Sequence, residues 1–251
     1  MDFNTIIYEK NDRVAIITLN RPEKKNAINL EMKREIAKAL DEIEEDPEVK
    51  AVLITGNPEC FCAGGDLAQG EEDRLAGRVE NIWQRIHELE KPTVAAISGW
   101  CIAGGLELAL RCDLRVASET ARIGDRHIRI GVVGGAGITA LLPRVVGAAR
   151  AKELHFTGED IDGQEAYRIG LVNRVYPVER YLEESLELAR KIAAMSSFTL
   201  KMTKKAVDMG LNLNLRESLY YSEDCAKATR QSPAFEEGVK AFAEKRQPKF
   251  D

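Results

Sequence analysis

The stretch that decides the fold is TVAAISGWCIAGGLELALRCD, residues 93–113. Its first half is a short, apolar, β-branched run after Pro92, which is typical of a buried strand. Its second half has the spacing of a helix that begins near Gly104 and Gly105. A chain that turns from strand to helix through glycines exposes backbone N–H groups at the positive end of the helix dipole. The stretch therefore predicts a site for an anionic oxygen.

One carboxylate, Glu107, falls in the first turn of this predicted helix, among apolar residues. An apolar surrounding favours the neutral acid, so the position suits proton transfer near neutral pH. A structural interpretation is also open from this stretch alone. In that case the two glycines only allow the helix to pack closely on the strand, and Glu107 pairs with Arg111 one turn later.

Composition and charge narrow the class of protein. The chain has 251 residues, with 36 basic and 41 acidic residues and a net charge of −5. This length is enough to bury a full core. The sequence lacks a block of basic residues that would indicate nucleic-acid binding. No apolar run approaches the roughly 18 residues of a membrane span, and the first residues lack the pattern of a signal peptide. We expect a protein that binds neither nucleic acid nor a membrane.

The five cysteines are Cys60, Cys62, Cys101, Cys112 and Cys225. Their number is odd, their neighbours are apolar, and they lack Cys-x-x-Cys spacing and nearby histidines. We expect reduced core residues of a cytoplasmic protein, without a disulfide framework or a metal site.

Strand and helix patterns alternate along the rest of the chain. Asn11 and Asp12 separate two strand patterns as a hairpin turn, and Asn29 is a suitable cap for a helix that continues until Pro47. Glycine-rich loops cover residues 56–67 and 131–137. A helix before Pro92 is predicted by apolar residues at helical spacing, namely Leu75, Val79, Ile82, Ile86 and Leu89.

Repeated strand–strand–helix units followed by a helical tail predict a wound α/β core with a helical appendage. We assign residues 1–195 to the core and residues 196–251 to the appendage. Four amphipathic helix patterns follow Leu182, which is more than the remaining sheet could cover. The P-loop, the dinucleotide-binding G-x-G-x-x-G pattern and the Gly-x-Ser-x-Gly elbow are absent from the sequence.

Five short motifs carry a resemblance to a known family. They are Asn20-Arg21-Pro22 with Asn26-Ala27, Phe61-Cys62-Ala63-Gly64-Gly65-Asp66-Leu67, Ile102-Ala103-Gly104-Gly105-Leu106-Glu107-Leu108-Ala109 with Cys112-Asp113, Thr157-Gly158 with Gly170-Leu171-Val172, and Glu237-Gly238 with Ala241-Phe242 and Glu244-Lys245-Arg246. In this order they resemble the enoyl-CoA hydratase/isomerase (crotonase) family from end to end. The resemblance implies a spiral of ββα repeats and an acyl-CoA thioester substrate, with no cofactor besides the coenzyme A within it. It also implies a C-terminal helical region that forms a homotrimer or a hexamer, the latter as a dimer of trimers.

The resemblance also assigns site residues. The backbone N–H groups of Ala63 and Gly104 would form an oxyanion hole for the thioester oxygen, where an enolate develops. Asp66 is expected to stabilise its own loop instead of acting in catalysis. Substrate- and CoA-binding positions implied by the family are Lys24, Ala27, Gly64, Gly65, Asp66, Leu67, Gly135 and Lys245.

One position departs from the family pattern. Hydratases that the chain resembles use two catalytic glutamates; Glu107 matches the first, and the second position is occupied by His127. Gly134 also replaces a proline in the turn that follows. His127 suits proton transfer because its ordinary pKa is near 6.5, but it could equally fill space beside Asp125.

Three functions are therefore open from the sequence. The first is hydration of a 2-enoyl-CoA, with Glu107 orienting water and His127 exchanging the α-proton. The second is another enolate reaction, such as double-bond isomerisation, hydrolysis or decarboxylation. The third is acyl-CoA binding without catalysis, which the presence of Glu107 disfavours.

Overall fold

The computed structural model describes residues 3–68 and 81–250, and these ranges contain ten strands and ten α-helices. The strands are β1 Ile6–Asn11, β2 Val14–Leu19, β3 Ala51–Thr55, β4 Cys60–Cys62, β5 Thr93–Ile97, β6 Trp100–Ile102, β7 Leu114–Ser118, β8 Arg122–Gly124, β9 Ile161–Asp162 and β10 Arg174–Tyr176. The α-helices are α1 Leu30–Glu45, α2 Ile82–Glu88, α3 Gly104–Arg111, α4 Ile138–Val146, α5 Ala148–Thr157, α6 Gly163–Arg168, α7 Tyr181–Ala193, α8 Ser197–Gly210, α9 Leu215–Arg230 and α10 Pro233–Ala243. Short 3-10 helices occupy Pro22–Lys24 and His127–Ile130.

The strands form two sheets. The larger has the order β1-β2-β3-β5-β7-β10 and the smaller the order β4-β6-β8-β9. The β1/β2 hairpin and the β8/β9 pair are antiparallel, and all other pairs are parallel. From β3 to β8 successive strands alternate between the two sheets, and helices α2 and α3 return the chain to the larger sheet. The expected spiral of ββα repeats is confirmed.

The residues 93–113 contain two strands where the sequence predicted one. The chain leaves the larger sheet after Ile97 and enters the smaller one at Trp100. Gly99 makes this turn with φ +55°, and a Cβ there would lie 1.8 Å from the Glu59 carbonyl oxygen, so the position excludes a side chain. Cys60–Cys62 is likewise a strand inside a segment predicted as a loop. Three residues are too few for strand periodicity to be detected.

The core lies on both faces of the larger sheet. Alternate residues of β3 show this: Val52 and Ile54 belong to the main cluster, whereas Ala51 and Leu53 belong to a second one. The main cluster includes residues of both sheets, and the second packs beneath α7. Because side chains alternate along a strand, a strand buried on both faces is apolar throughout, as β3 is.

Most predicted helices are confirmed. Asn29 caps α1 by accepting a hydrogen bond from the Met32 N–H at 2.8 Å. The predicted helix before Pro92 is confirmed as α2, but Leu75 and Val79 lie outside the described residues. The four helices predicted after Leu182 are confirmed as α7 to α10. Within the described residues, each helix is too short or too polar to cross a lipid bilayer.

Candidate active site

The start of α3 is the structural centre of the site. Ala103 has φ 50° and ψ −120°, a conformation unusual for a residue with a side chain, and its N–H donates to the Gly124 carbonyl at 3.1 Å. Gly105 allows α3 to pack on β4, because a Cβ there would lie 2.2 Å from the Cys62 carbonyl oxygen. These contacts fix the direction of the first N–H groups of the helix.

Glu107 extends from α3 into a buried position and is 4% exposed. Its Oε1 accepts a hydrogen bond from the Ala136 N–H at 2.7 Å. Burial raises the pKa of Glu107 above its ordinary value, an effect that the Ala136 N–H and the nearby His127 partly oppose. The alternative pairing with Arg111 is absent among the described residues, because Arg111 donates to the Ala136 carbonyl at 2.7 Å instead. Glu107 and Arg111 thus hold the backbone N–H and the carbonyl of the same residue, Ala136.

His127 lies opposite Glu107, as the sequence predicted. Its Nε2 is 4.0 Å from Glu107 Oε2, and its Nδ1 is 2.5 Å from Asp125 Oδ1. The hydrogen bond to Asp125 raises the pKa of His127 above its ordinary value, against the opposing effect of burial. The site therefore contains two groups, one carboxyl and one imidazole, whose pKa values are both raised.

Asp125 has a second partner that the sequence did not reveal. Its Oδ2 is 2.6 Å from Nδ1 of His155, a residue of α5. Burial alone would raise the pKa of Asp125, but the hydrogen bonds from the two histidines hold it below its ordinary value. The chain contains three histidines, and this small number was the only feature of the sequence that could have drawn attention to His155.

The glycine at position 134 provides the space that the His127 ring occupies. A Cβ on Gly134 would lie 2.5 Å from Ile138 Cγ2, and 2.9 Å from both Nδ1 and Cε1 of His127. Real Cβ atoms essentially never approach a neighbour below 3.0 Å. The two departures from the family pattern, His127 and Gly134, are therefore sterically linked.

The structure corrects one predicted oxyanion donor. The Ala63 N–H donates to the Lys25 carbonyl at 3.0 Å and is not available to a ligand, so the prediction of Ala63 as a donor is wrong. Gly65 lies nearer to Gly104: a Cβ on Gly104 would be 3.2 Å from the Gly65 nitrogen. Within residues 3–68 and 81–250, neither the Gly65 N–H nor the Gly104 N–H has an acceptor. Sequence reasoning missed this because it cannot tell which N–H of a glycine-rich loop is already bonded.

The loop that carries Gly64 and Gly65 is held by polar contacts. Asp66 Oδ2 is 3.0 Å from Arg21 Nη1, and Asp66 Oδ1 accepts from the Ala68 N–H at 3.1 Å. Asn26 is fully buried and donates from Nδ2 to the Cys60 and Phe61 carbonyls. These bonds support the expectation that Asp66 stabilises its own loop.

The other predicted binding residues differ in their exposure. Lys24, Leu67 and Gly135 are exposed, Ala27 is partly buried, and Gly64 has φ +103° beside the Gly104 nitrogen. Lys245 is exposed after the end of α10, with φ 54°.

Comparisons with known proteins identify the family of the chain. The model of the enoyl-CoA hydratase/isomerase family matches residues 9–251. The short-chain-enoyl-CoA hydratase of Clostridium acetobutylicum is 36% identical, over 98% of this chain and 97% of the relative, and the crotonyl-CoA hydratase of Syntrophomonas wolfei is 34% identical, over 100% and 99%. The crystal structure of an enoyl-CoA hydratase from Bacillus anthracis superposes with a TM-score of 0.94 at 33% identity, covering 98% of this chain and 99% of that one. The chain therefore belongs to the enoyl-CoA hydratase/isomerase family.

Proposed function

We propose that this enzyme is an enoyl-CoA hydratase, which adds water across the C2–C3 double bond of a 2-enoyl-CoA. One observation carries the proposal: Glu107 Oε2 and His127 Nε2 face each other at 4.0 Å. This distance is too long for a direct hydrogen bond. It leaves room for one oxygen atom at about 2.8 Å from each of them, an ordinary hydrogen-bond length. A water molecule placed there would contact both proton carriers.

The thioester oxygen is assigned to the N–H groups of Gly65 and Gly104. Both donors lack protein acceptors within the described chain. Gly104 begins α3, whose dipole favours negative charge, and Gly65 lies beside it in the loop after β4. Negative charge on this oxygen grows as the enolate forms, so the donors stabilise the transition state more than the substrate. One such donor contributes about 10²–10³ in kcat in other enzymes.

The proton transfers use one proton that Glu107 and His127 share. In hydration, ionised Glu107 removes a proton from water as its oxygen attacks C3, and protonated His127 delivers a proton to C2. The product then carries one added water, and the proton has moved from His127 to Glu107. Its return across the 4.0 Å separation restores the starting state. All these groups belong to the protein, the water or the substrate, so coenzyme A enters only as part of the substrate.

Coenzyme A is assigned to the exposed rim around the site. Lys24 and Lys25 lie in and directly after the 3-10 helix Pro22–Lys24 and are both exposed, so they can reach phosphate groups. Lys245 is a further candidate for phosphate binding, together with the family-implied positions Ala27, Gly64, Asp66, Leu67 and Gly135.

The test is to incubate purified protein with a panel of 2-enoyl-CoA, 3-enoyl-CoA and malonyl-type thioesters and to analyse the products by mass. We expect a gain of one water on the 2-enoyl substrates. If the double bond moves without a mass change, the activity is isomerisation and not hydration. Loss of CO₂ would indicate a decarboxylase. No reaction with any thioester would indicate a protein that binds acyl-CoA without catalysis.

A comparison of two variants tests the roles of the proton carriers. His127→Ala and Glu107→Ala should each lower kcat by about 10²–10⁴. If His127→Ala keeps kcat within about threefold while Glu107→Ala abolishes it, one carboxylate is sufficient, and an isomerase replaces the hydratase as the best assignment.

We also propose that residues 196–251 form a homo-oligomer, as a trimer or as a hexamer of two trimers. Helix α8 has no buried residue. Large apolar side chains are exposed on α9 and α10, including Leu219 and Phe242, and Leu211 directly after α8 is exposed as well; Phe242 is 86% exposed. Such a surface is typical of protein interfaces. Sedimentation at micromolar concentration tests the proposal, and a monomer would contradict it.

A cytoplasmic location is supported by the cysteines. All five are free and buried. Burial raises the pKa of Cys62 to about 12, so this thiol is neutral and unreactive at physiological pH. Fractionation of the source cells would test the location.

A further inference from the structure

A single buried carboxylate joins two of the three histidines of the chain. Asp125 Oδ1 is 2.5 Å from His127 Nδ1, and Asp125 Oδ2 is 2.6 Å from His155 Nδ1. Asp125 and His127 follow β8, whereas His155 lies on α5. The contact between His155 and Asp125 therefore spans two elements and depends on how α5 packs.

The chemistry of a carboxylate fixes the hydrogens of both rings. An ionised carboxylate only accepts hydrogen bonds, so Nδ1 of His127 and Nδ1 of His155 must both carry a hydrogen. Nε2 is then the one nitrogen of His127 that can gain or lose a proton, and it faces Glu107. A second bond, from the His127 backbone N–H to Asp125 Oδ1 at 3.2 Å, also depends on the orientation of this carboxylate.

His155 restrains that orientation. Because each oxygen of Asp125 has its own histidine, rotation of the carboxylate would break both hydrogen bonds. Within the described chain, Nε2 of His155 is buried and has no hydrogen-bond partner. A hydrogen on Nε2 would be a buried donor without an acceptor, which costs about 1–3 kcal/mol. The hydrogen of His155 is therefore best placed on Nδ1, where Asp125 accepts it.

We propose that Asp125 and His155 are positioning residues: His155 holds the Asp125 carboxylate, and Asp125 holds the His127 ring with Nε2 directed at Glu107 and the reacting carbon. The kinetic part of this inference rests on the proposed hydration. The pair acts through His127 and does not itself touch the substrate. His155 also donates a hydrogen bond to the ionised carboxylate of Asp125. This bond weakens the attraction of the Asp125 charge for a proton on His127.

Within residues 3–68 and 81–250, the charges that act on His127 come from Asp125 and Glu107. Glu107 faces it from α3, Asp125 from its own segment and His155 from α5 through Asp125. The neighbouring Arg126 is turned away, since its guanidinium pairs with Asp160 at 2.8 Å and lies over the Trp100 ring. Substitutions of Asp125 and His155 should therefore move the His127 titration in opposite directions.

The experiment uses the full chain with ¹⁵N-labelled histidine and three variants. His155→Leu removes the hydrogen-bond donor to Asp125. His155→Asn keeps a donor, because an Asn amide can place an N–H where His155 has Nδ1. Leu and Asn have similar shapes, so the two variants form a matched pair. Asp125→Asn removes the charge. We expect His155→Leu to raise the His127 pKa and to lower kcat by at least about tenfold with KM within about threefold, as an effect on proton transfer and not on binding. His155→Asn should restore both, and Asp125→Asn should lower the His127 pKa.

The imidazole nitrogen shifts report the titration directly, and the alkaline limb of kcat/KM should follow it in the same direction. If the His127 titration is the same in the wild type, His155→Leu and Asp125→Asn, the inference is wrong. It is also wrong if His155→Asn is as impaired as His155→Leu. If the titration shifts as expected but the wild type hydrates no thioester, the positioning role of Asp125 and His155 is supported and the proposed function is wrong.

Discussion

Replacement of Glu107 by glutamine separates its catalytic role from a structural one. Gln has nearly the same shape, and its amide oxygen can still accept from the Ala136 N–H, now 2.7 Å from Glu107 Oε1. No cavity forms and no buried donor loses its partner. The change removes only the ability to accept a proton from water. We expect kcat to fall by about 10²–10⁴, which corresponds to about 3–5 kcal/mol of activation free energy.

The free energy of unfolding should respond in the opposite direction. The folded pKa of Glu107 lies above its ordinary value of 4.5 because the side chain is buried. As pH rises above 4.5, the unfolded chain releases this proton first, so the wild type loses stability until pH exceeds the folded pKa. Gln does not titrate. Glu107→Gln should therefore be at least as stable as the wild type at pH 7, and its advantage should shrink toward pH 4.5.

The assay combines turnover of a 2-enoyl-CoA with urea unfolding at several pH values. Glu119→Gln is the matched control, because Glu119 is exposed and follows the end of β7, and it should change neither quantity. The reasoning is refuted if Glu107→Gln keeps kcat within about threefold, or if it is destabilised by more than about 1 kcal/mol at pH 7, a typical hydrogen-bond contribution. Either result would make Glu107 a structural anchor of the Ala136 turn.

Three further predictions follow from the described contacts. Hydration should show a bell-shaped dependence of kcat/KM on pH, because Glu107 must be ionised and His127 must be protonated. Both pKa values are raised, so the acidic limb should lie above 4.5 and the alkaline limb above 6.5. An alkaline limb below 6.5 would contradict the role of His127. Gly134→Ala should displace the His127 ring and lower kcat by roughly 5- to 150-fold, which corresponds to an overpacking cost of about 1–3 kcal/mol. We expect a smaller loss when the same substitution is made in a His127→Glu variant. Equal losses in both backgrounds would show that the two positions are not linked. Asn29→Ala should lower the free energy of unfolding by about 0.5–2 kcal/mol through loss of the α1 cap, without changing kcat; thermal or urea unfolding measures this, and an unchanged midpoint would exclude the cap.

The sequence by itself determined the features that depend on near neighbours. Helical spacing of apolar residues predicted α1 and the four C-terminal helices, because burying one face of a helix requires that spacing. Asn29 marked the start of α1, since its short side chain can accept from a free N–H two or three residues later. Glu107 was likewise identified, because a carboxylate among apolar residues is visible in sequence. His127 was identified through the family resemblance, as the residue at the second glutamate position.

Only the tertiary structure decided which groups meet and which are already bonded. The Ala63 N–H is engaged by the Lys25 carbonyl, 38 residues earlier in the chain, and this leaves Gly65 as the candidate donor beside Gly104. His155 reaches Asp125 across a separation of 30 residues. Each of these contacts depends on the path of the whole chain between the two groups. Local spacing constrains the conformation of a segment but not the partner that closes on it from elsewhere, and a hydrogen bond only forms within about 3.2 Å.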